Sequence, residues 1–155
     1  APQKLADAAM RLTRACIECA PALRVLEQYC TPTSLAYIDP PYVLETRVGG
    51  RGYLHEMTVD DHRELVSLIL TLPGRFVVSG YAHDVYKPLE KAGWVRVDYR
   101  SHAHAAGHTR HTGMLGSGAA SHQTRTESLW LDPQTAAEKL PNLQLALSDG
   151  CSAKR

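Results

Sequence analysis

The stretch Leu35-Ala36-Tyr37-Ile38-Asp39-Pro40-Pro41-Tyr42 constrains the fold more than any other in the chain. Its first half, Leu35 to Asp39, has the composition of a strand buried in a sheet. Its second half cannot continue that strand. Each proline fixes φ at roughly −65° and offers no N–H to a ladder, and the residue before a proline is held out of the helical region. The strand therefore stops at a rigid corner presenting a carboxylate, proline carbonyls and an aromatic ring. In open α/β sheets ligands bind outside the carboxyl ends of the strands, so this corner is the candidate site.

Around the corner the chain alternates. Gln3 to Arg14 reads as a helix with Leu5, Ala8, Ala9 and Leu12 on one face, and Ala15 to Cys19 as a short strand. Pro21 suits the first turn of a helix that carries Leu23, Leu26, Glu27 and Cys30 and ends at Thr31-Pro32. Val43 to Met57 is a loop holding Gly49, Gly50 and Gly52 with Arg47 and Arg51 between them, long enough to act as a lid. Thr58 then caps a helix with Asp60 and Asp61 in its first turn and a stripe of Leu65, Leu68, Ile69 and Leu72; Pro73-Gly74 stops it.

Arg75 to Ser79 is a second buried strand, leading to Gly80-Tyr81, and Asp84 to Ala92 a short helix closed by Gly93. Strand, helix, strand, helix in this order implies a parallel α/β sheet. Trp94 to Arg100 alternates apolar and polar, and Arg125 to Leu131 is a further strand. The long connection Ser101 to Thr124 is rich in Gly, Ser, Ala and His. After Pro133 one short helix, Thr135 to Leu140, precedes a tail, so residues 1–133 form the main unit and 134–155 an appendage.

Composition excludes several classes. The 155 residues hold 17 Lys+Arg against 16 Asp+Glu, so the chain is no general polycation and any nucleic-acid contact must come from a local patch. No apolar run approaches membrane-spanning length, and the polar, proline-containing start does not read as a signal peptide. Cys16-Ile17-Glu18-Cys19 has metal-ligand or redox spacing, but no second pair follows. Cys16, Cys19, Cys30 and Cys151 therefore read as buried or half-buried free thiols in a reducing cytoplasm. His102, His104, His108, His111 and His122 sit among Gly and Ser with no Cys or Asp partner, which argues against a metal site. His62 reads as a polar surface or interface residue and not as a base.

Chemically, the corner suits a planar amine. Asp39 can accept one N–H, the Pro40 carbonyl can accept the other, and Tyr42 can stack on the ring. Between Arg100 and Arg125 there is no acid, so that connection can approach phosphates, Arg110 among its residues.

Asp39-Pro40-Pro41-Tyr42 resembles the catalytic motif of amino-group methyltransferases that use S-adenosylmethionine. The order of further segments is similar to DNA adenine methyltransferases of the Dam type and their phage-borne relatives. These segments are Thr46-Arg47, Tyr53-Leu54-His55-Glu56-Met57-Thr58 with Asp61-His62, Ser79-Gly80-Tyr81 and Arg125-Thr126-Glu127-Ser128-Leu129-Trp130. The likeness runs from about Ala8 to Pro133.

The resemblance implies a partial Rossmann-like methyltransferase sheet of parallel strands with a terminal antiparallel hairpin. It implies methyl transfer to the exocyclic amino group of adenine in double-stranded DNA, in the cytoplasm of a bacterium or a phage-infected host. Asp39, Pro40, Pro41 and Tyr42 are the implied catalytic residues, with Asp39 also at the edge of the cofactor pocket. Arg47, Arg51, Tyr53, His55, Arg110 and Arg125 are the implied DNA contacts, and no metal is implied.

The family's glycine-rich cofactor turn is missing. The first glycine of this chain is Gly49, downstream of the corner, and Pro21 stands at or near the family's cofactor-binding acid. The chain thus resembles the carboxyl-terminal portion of the family, with weak cofactor binding expected and an amino-terminal half as a partner in trans. Two alternatives stay open: a catalytically inactive fragment that binds DNA or a partner half, and an amino methyltransferase acting on RNA or a protein glutamine.

Overall fold

The structure, a computed structural model, describes residues 2–47, 53–102 and 124–140. Among these, helix α1 spans Pro2–Leu12, α2 Ala22–Tyr29, α3 Val59–Ile69 and α4 Lys87–Lys91, and α5 covers residues 133–140. Single 3-10 turns lie at Leu44–Thr46 and Asp84–Tyr86. The strands are β1 Leu35–Ile38, β2 Arg75–Gly80, β3 Val95–His102 and β4 Thr124–Leu131, in the order β1-β2-β4-β3.

The fold is α/β, but the sheet is mixed. Only β1 and β2 run parallel, Leu35 opposite Arg75 and Ile38 opposite Val78. β4 enters antiparallel between β2 and β3, so the expected parallel sheet is reduced to one pair. The reason lies in the hairpin. An antiparallel partner for β3 is covalently close, and β4 then inserts its other edge beside β2. The expected antiparallel hairpin is present, and both its strands run further toward the connection than the alternation indicated.

One face of the sheet carries the core. Phe76 and Val78 of β2 and Trp130 of β4 point to α3 and to the segment 84–94, where Leu65, Val66, Ile69, Val85, Tyr86, Leu89 and Trp94 are buried. Phe76 stacks on Trp94 with centroids 6.3 Å apart, and Tyr86 lies 4.4 Å from Trp130. Gly80 belongs to this packing, because a Cβ there would stand 3.4 Å from the Tyr86 ring. The α3 start follows the sequence: Thr58 Oγ1 accepts the Asp61 N–H and the Asp61 carboxylate accepts the Thr58 N–H, a capping box. Gly93, at φ 88°, ends α4.

Asp132 joins the sheet to α5. It accepts N–H bonds from Phe76 at 2.8 Å, from Gln134 at 2.9 Å and from Thr135 at 3.1 Å. Burial opposes its charge, yet those bonds and the Thr135 side chain hold its carboxyl below the usual range. Arg75 Nη1 bonds Glu138 at 2.6 Å beside it.

Four further expectations are corrected. Ala15 to Cys19 forms no strand; it runs exposed and without a ladder partner. A short apolar run needs a neighbouring strand for its backbone groups, and none adjoins it. Cys16 and Cys19 are consequently exposed free thiols, and only Cys30 is half-buried; Cys151 lies outside the described residues. β1 is an edge strand and not a buried one, with Leu35 and Tyr37 each 62% exposed. His62 is fully buried and not at the surface. Along α1 the apolar side chains Leu5, Met10 and Leu12 remain exposed. Among the described residues no helix is long and apolar enough to cross a membrane.

Candidate active site

Asp39 follows β1 directly, at the carboxyl end of the parallel pair. Its side chain is exposed and makes no hydrogen bond or ion pair with another described residue. Pro40 is buried and Pro41 half-buried, so the acid is held on a fixed backbone. Beneath the corner lies His62. Its Nδ1 is 3.1 Å from the Tyr86 hydroxyl and the two rings meet edge to face at 5.8 Å. Burial lowers the pKa of His62, the nearby Pro41 backbone and Asp61 offset this only in part, and Nε2 is buried without a hydrogen-bond partner among the described residues. The imidazole is thus a neutral structural support for the corner.

A cavity and an aromatic cluster both lie near Asp39. The first is a cavity of about 920 Å³ between the segment 16–29, the end of β1 and the residues leading into α3. Leu23, Val25, Leu26, Met57 and Leu65 give it apolar walls, while Glu18, Asp39, Glu56 and Asp61 line it with carboxylates and, among the described residues, no Lys or Arg does so. Glu18 is anchored by the Tyr29 hydroxyl, which donates to it at 2.6 Å. A cavity of this size and character suits a small molecule with an apolar body and a positive charge.

The second region is aromatic. The Tyr42 hydroxyl lies 2.9 Å from Ser79 Oγ and 3.3 Å from Glu127 Oε2. Tyr99 donates to the same carboxylate oxygen at 3.1 Å. Tyr42 and Tyr81 meet edge to face with centroids 4.7 Å apart, and Arg125 Nη1 donates to the Tyr81 hydroxyl at 3.2 Å. Burial first, then the hydrogen bond to Glu127, pushes the Tyr99 phenol up to about 12. Burial, with Asp39 and Glu127 nearby, also raises that of Tyr42.

The implied DNA contacts separate. Arg47 is turned inward: its guanidinium pairs with Glu56, both side chains are nearly covered at 11% and 13% exposure, and it lies 5.3 Å from the Tyr53 ring centroid. Glu56 also accepts the Tyr53 N–H at 2.9 Å. Tyr53 and His55 are exposed, and His55 lines the cavity. Arg125 is half-buried against Tyr81. Arg51 and Arg110 lie outside the described residues, as do His104, His108, His111 and His122. Among the described residues no three His, Cys, Asp or Glu side chains cluster as a metal site.

No protein-family model, curated protein or solved structure matches the chain.

The site therefore stands on its own chemistry. Glu18, Ser79, Tyr99 and Glu127 are residues that sequence reasoning did not assign. Only the hairpin register, which sets Tyr99 opposite Glu127, would have revealed the second carboxylate. Glu18 was obscured because its segment read as a strand leading to Pro21.

Proposed function

We propose that this chain carries the catalytic corner of a Dam-type DNA adenine methyltransferase, within part of a Rossmann-like methyltransferase sheet. The carrying observation is Asp39: an exposed carboxylate without a structural partner among the described residues, set by two prolines at the carboxyl end of β1 and lining the cavity. A carboxylate so placed serves a ligand and not the fold.

Target adenine must leave the duplex to reach the corner, at a cost of roughly a few kcal/mol in stacking and pairing. Its amino lone pair is delocalised into the ring and attacks poorly. Asp39 accepts one amino hydrogen and the Pro40 carbonyl the other, which favours a pyramidal nitrogen. As positive charge develops on that nitrogen, the Asp39 carboxylate stabilises it, and the proton afterwards leaves to water from the exposed side of the same carboxylate. Tyr42 holds the base by stacking, worth about 1–3 kcal/mol.

S-adenosylmethionine, when bound, supplies the electrophilic sulfonium methyl. The carboxylate-lined, apolar cavity fits it in size and charge; Glu18 and Asp39 would hold its charged and polar groups, and Leu23, Leu26 and Met57 its apolar ones. Glu18 is a carboxylate from the segment where Pro21 aligns with the family's acid. Residues 1–34 contain no glycine, so they add no glycine-rich turn of backbone donors to this cavity.

Incubation of the chain with duplex DNA and tritiated S-adenosylmethionine at millimolar concentration, followed by mass spectrometry of the nucleosides, tests the reading. N6-methyladenine that disappears in Asp39→Ala supports it. A yield no higher than that of Asp39→Ala refutes it.

A further inference from the structure

Glu127 lies on β4, two strands away from the corner, yet its carboxylate reaches Tyr42. One oxygen, Oε2, accepts from Tyr42 at 3.3 Å and from Tyr99 at 3.1 Å. A phenol has one proton. If Tyr42 donates it to Glu127, Ser79 must be the donor in the 2.9 Å contact between their hydroxyls. Ser79 is 1% exposed and fixed on β2, so its hydroxyl has few other orientations. The order of donors is thus Ser79 to Tyr42 to Glu127, with Tyr99 completing the acceptor. Both hydroxyl donors end on one charged oxygen, and hydrogen bonds to an ionised acceptor are roughly twice as strong as neutral ones.

We propose that Glu127 is the positioning residue of the corner: its carboxylate fixes the Tyr42 ring by receiving that hydroxyl together with Tyr99, and so ties the β3–β4 hairpin to the base-binding side of Asp39. This rests on the reading of the corner as an amine-methylating site for its consequence, but not for its geometry. Tyr42 would otherwise be held at its hydroxyl by Ser79 alone and could turn about its χ angles against Tyr81. Burial first, and then the hydrogen bond to this carboxylate, raises the Tyr99 phenol.

Fluorotyrosine incorporated into the full chain, with the Tyr42 resonance assigned by its loss in Tyr42→Phe, reads the geometry directly by fluorine NMR. The wild type gives one sharp, dispersed Tyr42 line. Glu127→Ala moves that line toward the position of an exposed tyrosine, and Glu127→Gln, whose amide oxygen can still accept both hydroxyls, restores it. In unlabelled protein, spectrophotometric titration finds the Tyr99 phenol lowered in Glu127→Gln and Glu127→Ala alike, because both remove the charge. A Tyr42 line unmoved in Glu127→Ala overturns the proposal.

In the methyl-transfer assay Glu127→Ala loses about 100-fold in kcat with the KM for S-adenosylmethionine unchanged, the scale expected of a misplaced reacting group, and Glu127→Gln recovers most of it. Equal loss in both variants, or a loss confined to KM, also overturns it. If the wild type transfers no methyl group, the reading of function fails by itself, and the fluorine spectra still decide the role of Glu127.

Discussion

Two aspartates that follow strands separate a residue kept for a ligand from one kept for the fold. Asp132 is 7% exposed and accepts three backbone N–H groups, one from β2 and two that begin α5. In Asp132→Ala the Phe76 N–H is left buried without this partner, at a cost of about 1–3 kcal/mol. Loss of the α5 cap adds about 1 kcal/mol. The sum, roughly 2–4 kcal/mol, lowers Tm by about 4–16 °C at ~2–4 °C per kcal/mol for a chain of this length. Asp39→Ala removes an exposed side chain without a partner among the described residues, and its cost stays within about 0.5 kcal/mol.

Urea unfolding followed by tryptophan fluorescence measures both, because Trp94 and Trp130 are buried in the core. The Asp132 contribution also has a pH signature. Its folded pKa is depressed, so the stabilisation is complete above the unfolded value of about 3.9 and is lost as pH falls through the folded one. Asp132→Ala should therefore flatten the acid limb below about pH 4. A loss above about 1.5 kcal/mol in Asp39→Ala would mean that Asp39 holds the fold, and would remove the main argument for the site. A loss below about 1 kcal/mol in Asp132→Ala would mean that its bonds to β2 and α5 are not needed.

His62 gives a second pH dependence. Its folded pKa lies below the unfolded value of about 6.5, so its contribution is complete above about pH 6.5 and is lost as pH falls through the folded value. The groups that face it are Asp61, His83, Arg47, the Tyr86 hydroxyl and the Pro41 backbone. His62→Gln should reduce the fall in urea midpoint between pH 7 and pH 5, and an unchanged fall would show that His62 carries none of it. Calorimetric titration of the isolated chain with S-adenosylmethionine should give no saturable heat at micromolar concentration; a micromolar Kd would mean that the cavity needs no glycine-rich turn.

Much of the local structure was legible in the sequence because its causes are local. Thr58 with Asp61 fixed the start of α3, Gly93 the end of α4, and Pro40-Pro41 the end of β1; each is a backbone constraint within a few residues. The exposed position of Asp39 at the end of β1 was legible for the same reason, since a strand cut short by prolines presents whatever precedes them. What required the tertiary structure was pairing. Whether Ala15 to Cys19 is a strand depends on a neighbour and not on its own composition, and its apolar residues gave no sign that none was there. The same holds for strand order, because nothing in β4 itself specifies insertion between β2 and β3. His62 carries no sequence mark of burial; Pro41 and Tyr86, distant in sequence, enclose it. Glu127 reaches Tyr42 across 85 positions, and that contact exists only once the hairpin register and the corner are both in place. The sequence determined where elements begin and end and which carboxylate stands at the corner; the sheet decided which side chains surround it, because hydrogen-bond ladders and burial join residues that no local rule relates.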